Sequence, residues 1–555
     1  MPVSLEEQQA LDSLYAIENV LTVNIAMPQR EWDALRTEQP AGGVCNFNWT
    51  GGSRFTWHEA TSVEISGRSF PTRTTFTKVG IKKKSYCGSL SSTKPSLHID
   101  FGKLSADNES VAEALIGSRY LTLNNSLQDP SFVRQPLGYS LLGMAGLPHA
   151  RCNFARVFVN GQPIGQGFGG VNGPGIYVNV EPVMKRYIER NFNGNMKGNL
   201  YSLEHRNDFV SSRSPFVSTE SLSQFDDKAD FKFAAEYIAV NGLAGAGQML
   251  DLDHFIKVYA MEFFLKHWDG YAGKANNTYI YNDVNAVAVP GVNDIKFKVI
   301  PWGIDQTLQA ERHFKMGAGG LVAKLVRDDA DWLTQLIDQI GMYRDTVFSR
   351  EVQQTVMKPM IDTMEASLVG LGLPDAPLRM ATVRQQLRLA ESAGYLCAGM
   401  PENSSVYVLK DDTSDCLHAS NTEGIPANVA NPSMFEIYRQ PLVENNSPAD
   451  LWVFRDLGGG KSVTSLAYGR VIHASNSRTT GQGHKYLYTC AANNADHAEE
   501  FSMVPVDTPD RFAFSGYFKL TSVRTGLAAT YGSETTPAGR PRIYQDSDGS
   551  ILYFY

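Results

Sequence analysis

The sequence lacks the features that mark membrane proteins and most secreted precursors. No apolar run reaches the roughly 20 residues that a membrane-spanning helix needs, so we expect no membrane span. The first seven residues lack the charged and then apolar pattern of a signal peptide. Two locations therefore stay open: the protein stays inside the cell, or a signal has been removed and the protein is extracytoplasmic or on the cell surface.

Cysteine is scarce, and acidic residues outnumber basic ones. The six cysteines show no metal-ligand spacing, and their even number permits disulfides without requiring any. A net charge of -8 argues against a nucleic-acid-binding protein. The composition, 43% hydrophobic and 19% charged, is that of an ordinary globular protein. A length of 555 residues exceeds what one hydrophobic core supports, which predicts two or three domains.

The most informative stretch of the chain is 251–305. It begins with apolar residues at i, i+3, i+4, i+7 and i+11, the period of an amphipathic helix: Leu252, Phe255, Ile256, Tyr259 and Phe263. A polar loop with Asp269 and Asn277 follows. Two short strand candidates come next, and the stretch ends at Asp305.

Aspartate and asparagine in this order are typical of phosphotransfer sites. In protein kinases an aspartate orients the attacking group, an asparagine holds metal, and an aspartate after a hairpin holds metal again. These residue types suit the chemistry because Mg²⁺ prefers hard oxygen ligands and carries the phosphates with it. The spacing is unusual, since Asn277 lies eight residues after Asp269, where ordinary kinases have about five. The spacing alone leaves an alternative open, in which this helix end and this strand end have only a structural role.

Two sequence blocks resemble the spore coat protein CotH family of atypical kinases. They are DGYAGKANNTYIY at 269–281 and VIPWGIDQT at 299–307. The resemblance extends over roughly residues 16–395. It implies an ATP- and Mg²⁺-dependent kinase that phosphorylates Ser or Thr hydroxyls of a protein substrate.

The resemblance also implies roles for individual residues of these blocks. Asp269 is the catalytic residue, and Asn277 and Asp305 are the metal ligands. Many members of the family have Pro-Trp-Asp-x-Asp in the second block, whereas this chain has Gly303 at the first acidic position. Asp305 is therefore the only carboxylate in this segment.

Cofactor-binding residues are implied further upstream. By its match to a family strand that begins with lysine, Lys94 is the first candidate to contact the nucleotide phosphates, and Lys82 is the second. The basic run at 82–84 can equally be a solvated charge run. Glu181 is a candidate at the start of the segment that joins the two lobes. The glycine-rich segment 165–175 has no Lys-Ser/Thr pair, so it is not a Walker loop, and we interpret it as an insertion.

The last part of the chain carries an internal repeat with a period of 55 residues. Three units with four strand candidates each predict a β-trefoil, and the units resemble ricin-type or related trefoils. Carbohydrate is a candidate ligand, although the Gln-x-Trp of ricin lectins is missing. The aligned segments are 417–420, 472–475 and 527–530. His418 and His473 recur at equivalent positions, as residues of the core or as ligands.

We therefore predict an α+β chain with a two-lobed atypical protein-kinase-like domain at 1–395, followed by an all-β trefoil domain at 403–555. The lobes are placed at about 16–180 and 181–395, and a linker at 396–402. Two alternatives stay open. One is a kinase-fold transferase that transfers AMP or activates a carboxylate, and the other is a surface adhesin or carbohydrate-binding protein.

Overall fold

Helices and strands both occur along the chain, as the predicted α+β class requires. Among the described helices, none combines the length and the apolar character that crossing a membrane requires. The structure is a computed structural model, and it describes residues 5–46, 49, 52–68, 73–85, 87–165, 175–192, 195–203, 207–210, 218–220, 225, 227–310, 312, 314–397, 406–411, 415–424, 434–441, 448–456, 460–465, 467–468, 470–492, 498–505, 517–536, 539–550 and 552–554.

The chain divides into two compact units. Unit 1 comprises Met1–Gln309, Gly317–Gln339 and Thr346–Gln386. Unit 2 comprises Ala310–Met316, Ile340–Asp345 and Leu387–Tyr555. The domain boundaries drawn from the sequence stay a prediction.

A mixed sheet forms the first half of unit 1. Its strands are β1 (Leu21–Ala26), β2 (His58–Ser66), β3 (Thr74–Lys83), β4 (Leu97–Asp100), β5 (Tyr120–Asn124), β6 (Cys152–Val159), β7 (Gln162–Pro163) and β8 (Ile176–Val180). Their order is β1-β2-β3-β4-β5-β8-β6-β7, and β1 also pairs in parallel with β6, so the sheet closes on itself. All the other pairings are antiparallel.

The core of this sheet follows from the two-residue alternation of its strands. In β1, Leu21, Val23 and Ile25 are buried while their neighbours are partly exposed. Helices pack on the same core through apolar residues such as Leu14 and Leu35. The helices of this half are α1 (Leu5–Leu14), α2 (Gln29–Thr37), α3 (Ala106–Ile116), α4 (Arg134–Met144) and α5 (Lys185–Asn191).

The second half of unit 1 holds a smaller antiparallel sheet and most of the helices. Its strands are β9 (Leu200–Leu203), β10 (Ser218–Glu220), β11 (Thr278–Asn282) and β12 (Phe297–Pro301), in the order β10-β9-β11-β12. Helices α6 (Ala229–Met249), α7 (Leu252–Phe264) and α8 (Tyr271–Lys274) precede the β11–β12 hairpin. Helices α9 (Leu321–Asp328), α10 (Ala330–Asp345), α11 (Arg350–Val352), α12 (Lys358–Gly370) and α13 (Ala376–Cys397) follow it.

Helix α7 begins and packs as its periodicity predicts. The Asp251 side chain accepts a hydrogen bond from the backbone N–H of His254, which caps the amino terminus. The apolar face of the helix is buried. The imidazole Nε2 of His254 donates to the carbonyl oxygen of Val299 at 2.7 Å, which ties α7 to β12.

Unit 2 contains three similar four-strand repeats. The first has β13 (Val406–Asp411), β14 (Asp415–Gly424), β15 (Phe435–Pro441) and β16 (Leu451–Asp456). The second has β17 (Lys461–Ser465), β18 (Val471–Thr479), β19 (Lys485–Cys490) and β20 (Phe501–Pro505). The third has β21 (Tyr517–Ser522), β22 (Ala528–Thr535), β23 (Pro541–Asp546) and β24 (Leu552–Phe554).

The strand pairing of these repeats is that of a β-trefoil. The outer strands of each repeat pair in the cycle β13-β16-β17-β20-β21-β24 and back to β13, which closes a six-stranded barrel. The inner strands form one hairpin per repeat. The three hairpins contact each other through β15, β19 and β23. The predicted trefoil is thus present, with Leu417, Ile472 and Trp452 in its core.

Candidate functional site

A cavity of about 580 Å³ in unit 1 is lined by residues of both of its sheets and of the loops around them. Asp269, Asn277 and Asp305, which are far apart in sequence, all line it. Lys82, Lys94 and Glu181 lie outside its lining as the structure describes it. Three of the six predicted site residues are thus brought together.

Asp269 and Asn277 are joined directly. The amide nitrogen of Asn277 donates to Asp269 Oδ2 at 3.0 Å and to the Asp269 backbone oxygen at 3.1 Å. The amide nitrogen of Asn276 donates to the same carboxylate at 3.1 Å. Because its nitrogen is engaged in this way, Asn277 keeps its amide oxygen as an acceptor. Asn277 has a φ of 44°, a conformation that asparagine tolerates better than most residues.

Two buried side chains hold the loop that carries Asp269. The carboxylate of Glu262 accepts the backbone N–H groups of Tyr271 and Ala272 at 3.0 and 2.9 Å, at the start of α8. Burial raises the pKa of Glu262 to about 8, and these two N–H groups oppose the shift. His267 Nε2 donates to the carbonyl oxygen of Trp302 at 3.1 Å. The loop is therefore fixed both to α7 and to the segment after β12.

The hairpin brings Gly303 against Asn277. The backbone N–H of Trp302 donates to the Asn277 carbonyl oxygen at 3.0 Å, which extends the β11–β12 pairing. Gly303 has a φ of +58°, and a Cβ atom built on it would lie 2.5 Å from Asn277 Oδ1. A side chain at 303 would therefore strain the backbone and would require the Asn277 side chain to shift.

Asp305 supplies the carboxylate of this segment. It lies in a 3-10 helix, Ile304–Gln306, directly after Gly303. Burial and, to a smaller extent, the nearby Asp129 raise the pKa of Asp305 to about 6, and Lys84 opposes the shift. Asp129 is itself buried and paired with Arg134 at 3.2 Å. An anionic Asp305 at this place is stabilised by a nearby cation.

Lys84 is the site residue that the sequence did not single out. It follows β3 and lines the cavity. Burial lowers the pKa of Lys84 to about 8, and the charge of Asp305 opposes the shift. Its ammonium group lies 6.0 Å from the centre of the Trp302 ring. The period-two alternation of the strand could have indicated that Lys84 and its neighbour Lys83 point to opposite faces.

The basic run at 82–84 is not a solvated surface. Lys83 is buried and donates to the backbone oxygens of Arg36 and Glu38 at 3.0 and 2.9 Å, near the carboxyl terminus of α2. The ammonium group of Lys82 lies 4.7 Å from the centre of the Trp57 ring. Each lysine of the run thus has a different environment.

Lys94 is buried among aromatic rings. It is 2% exposed, and its ammonium group lies 4.9 and 5.2 Å from the ring centres of Phe132 and Tyr177. Burial lowers the pKa of Lys94 to about 7. A Cβ atom built on Gly165 would lie within 3.5 Å of three carbon atoms of the Lys94 side chain. Residues 166–174 of the glycine-rich segment lie outside the described residues, so its interpretation as an insertion stays a prediction.

Glu181 is held by two arginines. Its carboxylate accepts hydrogen bonds from the Arg190 guanidinium at 2.6 Å and from the Arg151 backbone N–H at 3.0 Å. The Arg151 guanidinium lies 3.5 Å from the other carboxylate oxygen. The three residues that follow Glu181 line the cavity. Glu181 therefore anchors the segment that joins the two halves of unit 1.

A disulfide fixes one wall of the cavity. It joins Cys45 to Cys87, and Cys87, Gly88 and Ser89 line the cavity. Ser89 is fixed in addition, because its carbonyl oxygen accepts the amide of Asn125 at 2.8 Å. The loop after Lys84 is thus held at two points.

The donor atoms of the cavity fit Mg²⁺ and a nucleotide. Asp305 and Asn277 offer oxygen ligands of the kind that Mg²⁺ prefers. The raised pKa of Asp305 indicates a carboxylate that a bound cation would stabilise. The volume lies within the range of about 300–1,000 Å³ that is usual for small-molecule sites.

Comparison with known proteins agrees with this geometry. The sequence model of a family described as "CotH kinase protein" matches residues 84–371, just over half of the chain. A comparison with curated protein sequences finds no match.

Solved structures resemble the chain over about a quarter of its length. The designed 3-fold symmetric protein ThreeFoil is 18% identical and covers 27% of this chain and 96% of its own, with a TM-score of 0.21. The SDF2-like protein from Arabidopsis thaliana is 10% identical and covers 28% of this chain and 93% of its own, with a TM-score of 0.23. The Macrolepiota procera ricin B-like lectin, in complex with lactose, is 11% identical and covers 28% of this chain and 96% of its own, with a TM-score of 0.20. The trefoil assignment rests on the strand pairing and not on these likenesses, and a carbohydrate ligand stays a prediction.

Proposed function

Because the chain belongs to the CotH kinase protein family and is thus a kinase-like enzyme, we propose that it transfers the γ-phosphate of ATP to Ser or Thr hydroxyls of a protein substrate. The observation that carries the proposal is the meeting of Asp269, Asn277, Asp305 and Lys84 on one cavity. These are the residue types that phosphoryl transfer needs, since its catalysis is mostly positioning and charge stabilisation.

Asn277 and Asp305 would hold the magnesium ion. Bound Mg²⁺ would neutralise phosphate charge in the transition state. Asn277 is prepared for this role because its nitrogen binds Asp269 and leaves its oxygen as the ligand atom. Asp305 is placed beside Lys84, so the carboxylate has a cation close by before nucleotide binds.

We assign the phosphate contact to Lys84 in place of Lys94 or Lys82. The cavity lining includes Lys84, and its charge interacts with that of Asp305. Lys94 lies among aromatic rings and Lys82 lies beside Trp57, both outside the lining. A lysine whose charge acts on the metal-binding aspartate is in position to neutralise phosphates that the same metal contacts.

Asp269 would orient the acceptor hydroxyl and take its proton. Its carboxylate is fixed by Asn276 and Asn277, so it keeps one orientation without a substrate. A positioned carboxylate of this kind typically contributes 10²- to 10⁴-fold to the rate. His267 and Glu262 act through the loop backbone, as positioning residues.

We further propose that residues 403–555 are a separate binding domain that brings the kinase to its substrate. The support is the closed barrel of six strands, which gives this part of the chain its own hydrophobic core.

The test is transfer from labelled ATP. The full chain is incubated with Mg²⁺ and ATP labelled at either the α- or the γ-phosphate, with itself and a generic protein as acceptors. We expect the acceptor to gain the γ-label and the mass of one phosphoryl group. Gain of the α-label and the mass of AMP would replace the proposal by AMP transfer, which uses the same ligands.

A binding measurement supplies the control. Mg-ATP should stabilise the wild type by about 2.7 kcal/mol at one hundred times its dissociation constant. Asp305→Ala should lose most of this stabilisation. Asp338→Ala, at an exposed position of α10, should keep it. Absence of both transfer and stabilisation in the wild type would refute the kinase proposal.

A further inference from the structure

The second repeat of the trefoil gathers a histidine, a cysteine and a glutamate. One ligand-type atom from each of His473, Cys490 and Glu499 lies within 4.8 Å of the other two. Cys490 and Glu499 are buried, and the side chain of His473 is 18% exposed. We call these three residues the His473 cluster.

Strand register places the first two members of the cluster side by side. His473 in β18 pairs with Tyr488 in β19, and its ring stacks on the Tyr488 ring with centres 4.9 Å apart. Cys490 is two residues beyond Tyr488, so it is the diagonal neighbour of His473 on the same face of the sheet.

The third member is fixed by the backbone. The N–H of Ala474 donates to the carbonyl oxygen of Ala498 at 2.8 Å. This hydrogen bond holds Glu499 beside β18, two residues before β20 begins. The cluster therefore connects the β18–β19 hairpin with the approach to the barrel strand β20.

The first repeat offers a matched comparison. Its equivalent residues are His418 and Gln440, in the same strand register, and Asp450, directly before β16. There His418 Nδ1 lies 2.6 Å from Asp450 Oδ1, and Gln440 Nε2 lies 3.0 Å from the same oxygen. These three side chains form a closed hydrogen-bonded group.

In the second repeat the thiol of Cys490 replaces the amide of Gln440, and the histidine lies farther from the carboxylate. His473 Nδ1 and Glu499 Oε1 are 3.9 Å apart, beyond hydrogen-bond distance. Ligand atoms that share a zinc ion at bonds of about 2.0 to 2.3 Å are separated by somewhat less than 4 Å. The His473–Glu499 separation is thus close to that of two ligands of one ion, whereas the first repeat has direct hydrogen bonds.

We propose that His473, Cys490 and Glu499 bind a zinc ion in the trefoil. Imidazole nitrogen, thiolate sulfur and carboxylate oxygen are the three ligand types of protein zinc sites, and a thiolate disfavours Mg²⁺ and Ca²⁺. Three protein ligands would leave a fourth tetrahedral position for water.

Zinc binding is accompanied by loss of the thiol proton. Burial and the charge of Glu499 raise the pKa of Cys490 to about 11, so the thiol is protonated in the zinc-free protein. When the Zn–S bond forms, the S–H bond breaks and the proton passes to the buffer. No oxidation or reduction takes place.

The test uses the full chain and cobalt(II) as a spectroscopic substitute for zinc. Cobalt bound to a thiolate gives a near-ultraviolet charge-transfer band that oxygen-ligated cobalt at Asp305 and Asn277 does not. We expect one such band at one equivalent of Co²⁺, and Zn²⁺ should displace it. Asp305→Ala should keep the band, which separates this proposal from the kinase proposal.

Matched variants assign the site. Cys490→Ser should abolish the band and weaken zinc affinity, measured against a chromogenic chelator, by more than the 10- to 100-fold that loss of an outer-shell partner typically costs. Cys416→Ser, at another buried cysteine of the trefoil, should leave both unchanged. His473→Gln should weaken zinc binding, and His418→Gln should not. Circular dichroism verifies that each variant is folded.

Three results would overturn the proposal. They are the absence of a band in the folded wild type, a band that survives Cys490→Ser, and equal losses for His473→Gln and His418→Gln.

Discussion

A Cβ atom on Gly303 would lie 2.5 Å from the amide oxygen of Asn277, the oxygen to which we assign a metal ligand role. The contact joins the loop after α7 to the segment after β12. A side chain at 303 would meet the side chain of Asn277.

The first prediction concerns this contact. Gly303→Asp adds a carboxylate to the segment after β12, yet we expect it to lower Mg-ATP affinity, because the new side chain displaces Asn277. The positive φ should also cost about 1–2 kcal/mol of stability. Isothermal titration and urea unfolding measure the two effects.

The control is Gly291→Asp, where φ is −115° and the nearest side-chain atom lies 3.5 Å from the added Cβ. It should affect nucleotide binding little. A Gly303→Asp protein that binds Mg-ATP more tightly than the wild type would show that Asn277 moves without loss and that the new carboxylate binds metal.

Local sequence patterns predicted the elements around the site well. The apolar period of α7 and the β11–β12 hairpin depend on neighbouring residues, so they can be recognised without knowledge of the rest of the chain. The order of Asp269, Asn277 and Asp305, together with the family resemblance, led to the expectation that they lie together. Their shared cavity agrees with that expectation.

Contacts between segments that lie far apart in the sequence were harder to predict. Lys84 lies directly after β3, and whether this end of the strand meets the cavity depends on how the two halves of unit 1 pack, so the sequence could not select Lys84 over Lys82 or Lys94. In the third trefoil repeat, Ala529 and not Leu527 occupies the position of Leu417 and Ile472. The alignment drawn from a constant period was wrong there by two residues, because Ile472 and Ala529 are 57 residues apart whereas Leu417 and Ile472 are 55 apart.

The second prediction compares the three lysines. Lys84→Met should weaken Mg-ATP binding about 10- to 100-fold, since a hydrogen bond to a charged group contributes about 1.5–3 kcal/mol. Lys82→Met, at a position two residues earlier, is the matched control and should have little effect. Titration calorimetry measures all three variants. If Lys94→Met weakens binding more than Lys84→Met does, the phosphate contact belongs to Lys94.

The third prediction concerns the pH dependence of stability. The native pKa of Asp305 is raised to about 6 from an ordinary value of 3.8, so the native state binds this proton more tightly than the unfolded state does. The resulting stabilisation is fully present below about pH 4 and is lost as the pH rises through 6. Asp305→Asn removes this dependence.

Urea unfolding at several pH values measures the effect. The stability of Asp305→Asn relative to the wild type should increase between pH 4 and pH 7, by at most about 3 kcal/mol. Asp338→Asn, at an exposed site, should show no such trend. A constant difference between Asp305→Asn and the wild type would mean that the Asp305 pKa is not raised.

The fourth prediction concerns the disulfide. The disulfide Cys45–Cys87 links residues 42 positions apart in the sequence. By the chain-entropy account, its reduction should lower the free energy of unfolding by up to about 4 kcal/mol. Because Cys87 lines the cavity, we also expect weaker Mg-ATP binding after treatment with dithiothreitol. The double variant Cys45→Ser/Cys87→Ser should match the reduced wild type and no longer respond to the reductant. Unchanged nucleotide affinity on reduction would show that the cavity wall around Cys87 keeps its shape without the disulfide.

The last prediction separates binding from chemistry at Asp269. Asp269→Asn keeps the shape of the side chain and an oxygen that can accept from Asn276 and Asn277, but it removes the charge that orients the acceptor and takes its proton. Lys84, Asn277 and Asp305 remain, so nucleotide affinity should stay near that of the wild type. Transfer of the γ-label should fall by about 10²- to 10⁴-fold. Asp338→Asn should retain both properties. Transfer at the wild-type rate would make Asp269 a structural residue, and loss of nucleotide binding would make it a metal ligand or the residue that positions Asn277.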